Sequence, residues 1–170
     1  VQDSAQTFYL HQKSYLLGQQ AKGQWNLARI TKPYMDELAQ ETQENVHLVV
    51  RDGLSSVVVD LRQSTHPIRM YAEIGRRGPL HAGGTPKVLL AYAPDEVLNA
   101  VLSEALQQFT EDTIVTKQHL LSTLERIRHD GFHVAVGDLD VDAFSVAAAI
   151  TGAKGAVIAA LSVAGPSMRL

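Results

Sequence analysis

Residues 144–165 read FSVAAAITGAKGAVIAALSVAG. Two apolar runs of small and β-branched residues flank Gly152–Gly155, the pattern of two strands joined by a tight turn. A turn centred between Ala153 and Lys154 sets Ser145 directly opposite Ser162, about 4.5–5.5 Å away on one face. That face continues as Ala147, Ala149, Ala160 and Ile158. The other carries Val146, Ile150, Val157, Leu161 and Val163, bulky enough to suit a core. The small face admits two readings. It is a surface against which a helix or second chain packs closely, or the floor of a cavity whose polar end hydrogen-bonds a ligand. A slip of one residue in the turn would send the two serines to opposite faces.

Outward from this hairpin, the stretch VHLVVRDGLSSVVVDLR (46–62) reads as another, with Asp52-Gly53 supplying favoured turn chemistry. Further strands are predicted at Pro67–Ile74 and Phe132–Val136. Leu27, Ile30, Tyr34 and Leu38 recur at helical steps and predict an apolar helix face. Pro33 is tolerable in a first turn but kinks a longer helix. Pro94-Asp95-Glu96 places proline and acids where a helix begins. Leu120, Leu124 and Ile127 mark a third helix, with Gly131 as its C-terminal cap. Strands in short hairpins with helices between them indicate an α+β fold with a largely antiparallel sheet. There is no internal repeat. Phe8-Tyr9-Leu10 reads as the end of a strand, and Gln12 to Lys22, polar apart from Tyr15, Leu16 and Leu17, reads as a partly helical linker.

The 170 residues suffice for one domain with a real core, and 45% apolar with 19% charged residues marks a globular composition. Cysteine is absent, which removes disulfides, thiolate metal sites and cysteine nucleophiles. This fits a cytoplasmic protein. The net charge of −3 argues against nucleic-acid binding by this chain alone. The most apolar stretch, Ala156 to Ala164, is far too short to span a membrane.

The stretch GRRGPLHAGGTPKVLLAY (75–92) approaches a phosphate-binding loop and fails on spacing. Gly84 stands where lysine is required, and Val88 follows Lys87 where a hydroxyl is needed. Thr85-Pro86 instead reads as a helix start, with Thr85 as N-cap and Pro86 in the first helical position. Gly84 and Thr85 would then face a small anion. The run DLDVD (138–142) lacks the glycine and glutamate of a calcium loop and reads as solvated. His129 and His133 straddle Gly131, so no metal site is expected there. His81 with a serine and an aspartate lacks any nucleophile-elbow context, so neither catalysis nor a cofactor is expected.

Three ordered blocks, HPIRMYAEIGRRGPLHAGGTPKVLLAYAPDE, IRHDGFHVAVGDLDVDAFSVAAAI and GAVIAALSVAGP, resemble the effector-binding domain of the IclR family of transcription regulators. The resemblance runs from Leu27 to Leu170. It implies a GAF-like fold, a curved, mainly antiparallel sheet flanked by helices, with a pocket closed by loops. Residues 1–26 resemble the end of the DNA-binding wing and an interdomain linker. The winged helix-turn-helix domain and the long final helix of the family would lie outside the sequence. A small metabolite, often a carboxylate, is implied as effector. Its implied donors are Gly84, Thr85, Ser145 and Ser162, with Met70, Ala135 and Asp138 completing the pocket. Homodimers or homotetramers are implied as well, with operator DNA a partner only through the absent domain and no membrane association. Pro86, Phe144 and Ala135 depart from the family pattern and point to a more apolar effector. The alternative is a GAF-like dimerisation module with no small ligand.

Overall fold

The structure, a computed structural model, describes residues 27–170. The expected wing and linker at 1–26 lie outside the described residues. The chain divides into two compact units, Val1–Pro33 and Tyr34–Leu170, so the boundary falls within a helix.

That helix, α1, spans Leu27–Thr42 with Pro33 inside it, costing one rung of its hydrogen-bond ladder. The predicted apolar stripe is displaced. Tyr34 is 60% exposed and Ile30 is exposed too, while Met35 is fully buried. Strands β1 (Asn45–Asp52) and β2 (Ser55–Arg62) form the expected hairpin around Gly53, whose φ of 60° glycine adopts freely. Strand β3 is only Arg77–Pro79. The strand expected at Pro67–Ile74 is absent. Its backbone is held from the side instead, as Asn45 donates its amide to the Met70 carbonyl at 2.9 Å. The helices α2 (Gly84–Ala91), α3 (Asp95–Ser103) and α4 (Lys117–Asp130) follow. Gly131 ends α4 at φ 80°, the left-handed cap that its sequence predicts. Strands β4 (Phe132–Val136), β5 (Ala143–Thr151) and β6 (Val157–Pro166) close the fold, with a single 3₁₀ turn at Ser167–Arg169.

The six strands run in the order β3-β2-β1-β6-β5-β4, each antiparallel to its neighbours. This is the expected α+β, GAF-like architecture. The hydrophobic core lies on one sheet face, where Val49, Ala147 and Ala160 meet Val88 to Ala91 of α2 and Leu120, Leu124 and Ile127 of α4. On the opposite face Val46 and Leu48 are also fully buried. There Arg62 of β2 pairs with Asp36, which ties the part of α1 from Tyr34 onward to that side.

Two details of the closing hairpin correct the sequence reading. Ser145 pairs with Ala164, and Ser162 with Ala147, so the register differs by two residues and the serines are diagonal neighbours. An even displacement leaves them on one face. The small face, not the bulky one, carries the main core. Leu161, Val163, Val146 and Ile150 stay half-buried, while Ala147 and Ala160 are sealed beneath α2. A register irregularity between Ile150 and Thr151 also turns Val157 inward and leaves Ile158 exposed.

Candidate functional site

Beyond the last alanines covered by α2, the same face of β5 and β6 opens into a cavity of about 130 Å³. Ser145, Ser162 and Ala164 form part of its floor, and His47 and Val49 of β1 and Ser56 and Val58 of β2 extend it. The start of α2, residues Gly83 to Pro86, closes one side. Loop residues Met70 to Ala72 and Gly137 to Asp140 close others, with Arg76 also in the wall. The lining is mainly apolar, with a few convergent polar groups, as small-molecule sites commonly are.

All seven residues expected at the site (Gly84, Thr85, Ser145, Ser162, Met70, Ala135 and Asp138) line this one cavity. Pro86 and Phe144 line it as well. The two serines therefore share a cavity although they do not face each other directly.

Local geometry at α2 differs from the expected cap. Gly83, at φ 88°, is the N-cap, and Thr85 and Pro86 lie within the first turn. Gly84 is required by close approach. A Cβ there would overlap the Ser145 hydroxyl and sit 3.1 Å from its Cβ and 3.2 Å from its carbonyl oxygen. The Gly83 amide donates to Asp138 Oδ1 at 3.0 Å, and Lys87 Nζ pairs with Asp138 Oδ2. Asp138 and Lys87 are both buried, so the solvated loop expected at 138–142 is corrected at its first residue. A carboxylate of the chain itself thus occupies the helix start, where backbone dipoles favour negative charge. Thr113 adds a hydrogen bond to the Asp138 carbonyl at 2.7 Å.

Several cavity residues carry no signal in the sequence. His47 pairs with Ser162 across the β1–β6 ladder, and its Nδ1 lies 3.5 Å from the Ser162 hydroxyl. Burial, reinforced by the Arg76 guanidinium, lowers the His47 pKa to about 4, so its ring is neutral at pH 7. Arg76 pairs with Asp140 at 3.5 Å. His47 stands 115 residues from Ser162, and only a non-local strand pairing brings them together. Alternation along β1 could have placed His47 in phase with Val49, but not beside β6.

His133 lies outside the cavity lining. Its Nε2 is buried without a hydrogen-bond partner, and burial followed by the charge of Lys87 lowers its pKa to about 4. His81 turns to the Gln107 carbonyl at 2.9 Å and stacks near Phe109. Among the described residues, no group of three His, Cys, Asp or Glu side chains could hold a metal ion. None of their helices is long and apolar enough to cross a membrane.

An antiparallel sheet flanked by helices, with a short buried helix and a loop-walled cavity, defines an α+β domain of the GAF-like type. Residues 19–170 match the C-terminal domain of the bacterial transcriptional regulator IclR, and the chain belongs to that family. It is 37% identical over 142 residues to the HTH-type transcriptional repressor AllR of Escherichia coli K12, covering 83% of this chain and 52% of AllR. It is 31% identical over 149 residues to the regulator KipR of Bacillus subtilis, covering 87% of this chain and 60% of KipR. The chain therefore spans about half the length of AllR. These relatives are transcription regulators, not enzymes. An IclR homolog from Microbacterium hydrocarbonoxydans, solved as a complex with 4-hydroxybenzoate, superposes with a TM-score of 0.79 at 27% identity. That match covers 84% of this chain and 59% of the homolog.

Proposed function

We propose that this chain is the effector-sensing part of a bacterial DNA-binding transcription regulator of the cytoplasm. A small carboxylate-bearing metabolite occupies the cavity and alters how the whole protein holds its operator, through a DNA-binding domain outside this sequence. The observation that carries the reading is the cavity itself. Seven positions separated by up to 92 residues in sequence, from Met70 to Ser162, converge on one cavity. The 4-hydroxybenzoate complex of the Microbacterium homolog supports an organic acid as effector. Phe144, Ala135 and Pro86 on the lining favour an apolar body behind the acid group.

Binding can redistribute conformations only by as much as the ligand favours one of them. Here the cavity wall joins the start of α2, the loop at 70–76 and the loop at 137–140, so an occupant contacts all three. A thermal-shift screen with aromatic and short keto acids tests the reading. Stabilisation should rise with ligand concentration as mass action requires. Calorimetry then ranks the acids, and preference for glyoxylate or pyruvate over aromatic acids would reject the apolar effector. No stabilisation by any acid would favour the dimerisation module.

Assembly as a homodimer or homotetramer belongs to the same proposal. Edge strand β4 presents Phe132, Val134 and Val136 on one face, each more than two-fifths exposed, an apolar stripe suited to another protein surface. Light scattering of the purified chain would report the assembly size.

A further inference from the structure

The proposed site must attract an acid, yet most of the cations on or beside it are already committed. Lys87 is sealed against Asp138 inside the protein. Arg77 turns outward to the Asp52 carboxylate at 2.8 Å. Arg76 is different. Its backbone is fixed, because its carbonyl accepts from Val58 at 3.0 Å and the neighbouring Gly75 amide donates to the Val58 carbonyl at 2.8 Å. Its guanidinium is held loosely. It donates to the Tyr71 carbonyl at 3.2 Å and reaches Asp140 only at 3.5 Å, with 39% of the side chain exposed. A charge-assisted bond in good geometry is about 2.7–2.9 Å long. Arg76 therefore links the loop before β3 to the loop after β4, along the cavity wall, by its weakest contact.

The rest of the polar lining has another character. Ser145, Ser162 and the His47 ring carry no charge, and the Asp138 carboxylate is already taken up by Lys87 and the Gly83 amide. A ligand carboxylate placed against the serines would meet hydroxyls but no cation. A hydroxyl, carbonyl or amide group would find both donors and acceptors. The cavity volume of about 130 Å³ is close to that of an apolar cavity of about 150 Å³ that accepts benzene. One ring, or a branched chain of similar bulk, fills it.

We propose that Arg76 selects the effector's charge: a monocarboxylate with a body of one-ring size docks its acid group on the Arg76 guanidinium, displacing Asp140. Its uncharged end lies toward Ser145 and Ser162. This rests on the sensor reading above and adds the orientation and the residue that reads the anion. The planar guanidinium can grip a carboxylate through two parallel hydrogen bonds, which a lysine ammonium cannot reproduce. Asp140 then acts as an internal competitor, holding Arg76 in place while the site is empty.

Calorimetric titration of the 170-residue chain tests this, using benzoate, phenylacetate and isovalerate, each beside its neutral amide. Arg76→Gln should weaken the acids at least tenfold and leave the amides unchanged. Arg76→Lys should fall between, and Asp140→Asn should tighten the acids several-fold by removing the competitor. Equal acid affinity in the wild-type chain and Arg76→Gln would overturn the proposal while leaving the sensor reading in place. Equal loss of acids and amides would overturn it too, by showing that Arg76 only supports the wall. Failure of every acid to bind the wild-type chain would overturn both.

Discussion

The β5–β6 hairpin carries two environments on one face, a few residues apart. At Ala147 and Ala160 the sheet is dry and closed, with α2 seated directly on methyl groups. At Ser145, Ser162 and Ala164 the same face borders open space. Side-chain size does not explain the difference, since alanine and serine are nearly equal in bulk. The helix does. It begins at Gly84, so its first turn ends the cover and its glycine lets Ser145 come close. The comparison teaches that a small-residue face can be both a packing surface and a cavity floor, with the division set by where one helix starts.

The largest effects should come from breaking the wall between the two environments. Lys87→Met leaves Asp138 buried without its cation and is expected to cost about 3–5 kcal/mol of stability, read by urea denaturation. On the dry side, Leu124→Ala empties fully buried volume and should cost about 2–5 kcal/mol, with cavity binding retained wherever the protein remains folded.

Acid should act on the open side. The folded chain holds His47 at about 4 against an ordinary 6.5, so the unfolded state binds more protons between those values. Stability should therefore fall as pH drops from about 6.5 to about 4, by on the order of 3 kcal/mol through His47 alone. His133, lowered to the same value, pushes in the same direction. Denaturation curves across that range would show the slope, and His47→Gln should make it shallower, leaving the His133 contribution.

Smaller effects sharpen the comparison. Gly84→Ala forces a methyl group into Ser145 and should cost about 1–3 kcal/mol, part of it recovered by adding Ser145→Ala. Ser145→Ala and Ser162→Ala are each expected to weaken effector binding by about 0.5–1.5 kcal/mol in titration. Unchanged affinity in the double variant would remove these hydroxyls from the site.

The fold was legible where local chemistry dictates it. Asp52-Gly53, Pro94 with its acids, and Gly131 mark their turns and caps through backbone preferences that need no distant partner. The register of the closing hairpin was not, because alternation has period two and reports a face, not a partner. Gly155 at φ 79° and the irregularity beside Thr151 decide the partner. The location of the main core differs from the sequence expectation for a related reason. Bulk suggested the valine and leucine face, whereas the short helix α2, all eight of whose residues are buried, approaches the face that offers least bulk. Of the site, the seven residues expected from the family resemblance all reached the cavity, while His47 and Arg76 arrived through non-local pairing and a loop that no periodicity describes.

The hairpin register has a consequence for altering this molecule. Because the side-chain pattern repeats every two residues, the tip at Gly152–Gly155 behaves like a vernier with only two settings. Lengthening or shortening one arm by an even number of residues exchanges partners and keeps the serines facing the cavity. An odd change turns one arm over, unless an irregularity like that beside Thr151 absorbs the extra residue. Grafted turns at this tip are therefore best chosen by parity, with length a secondary concern.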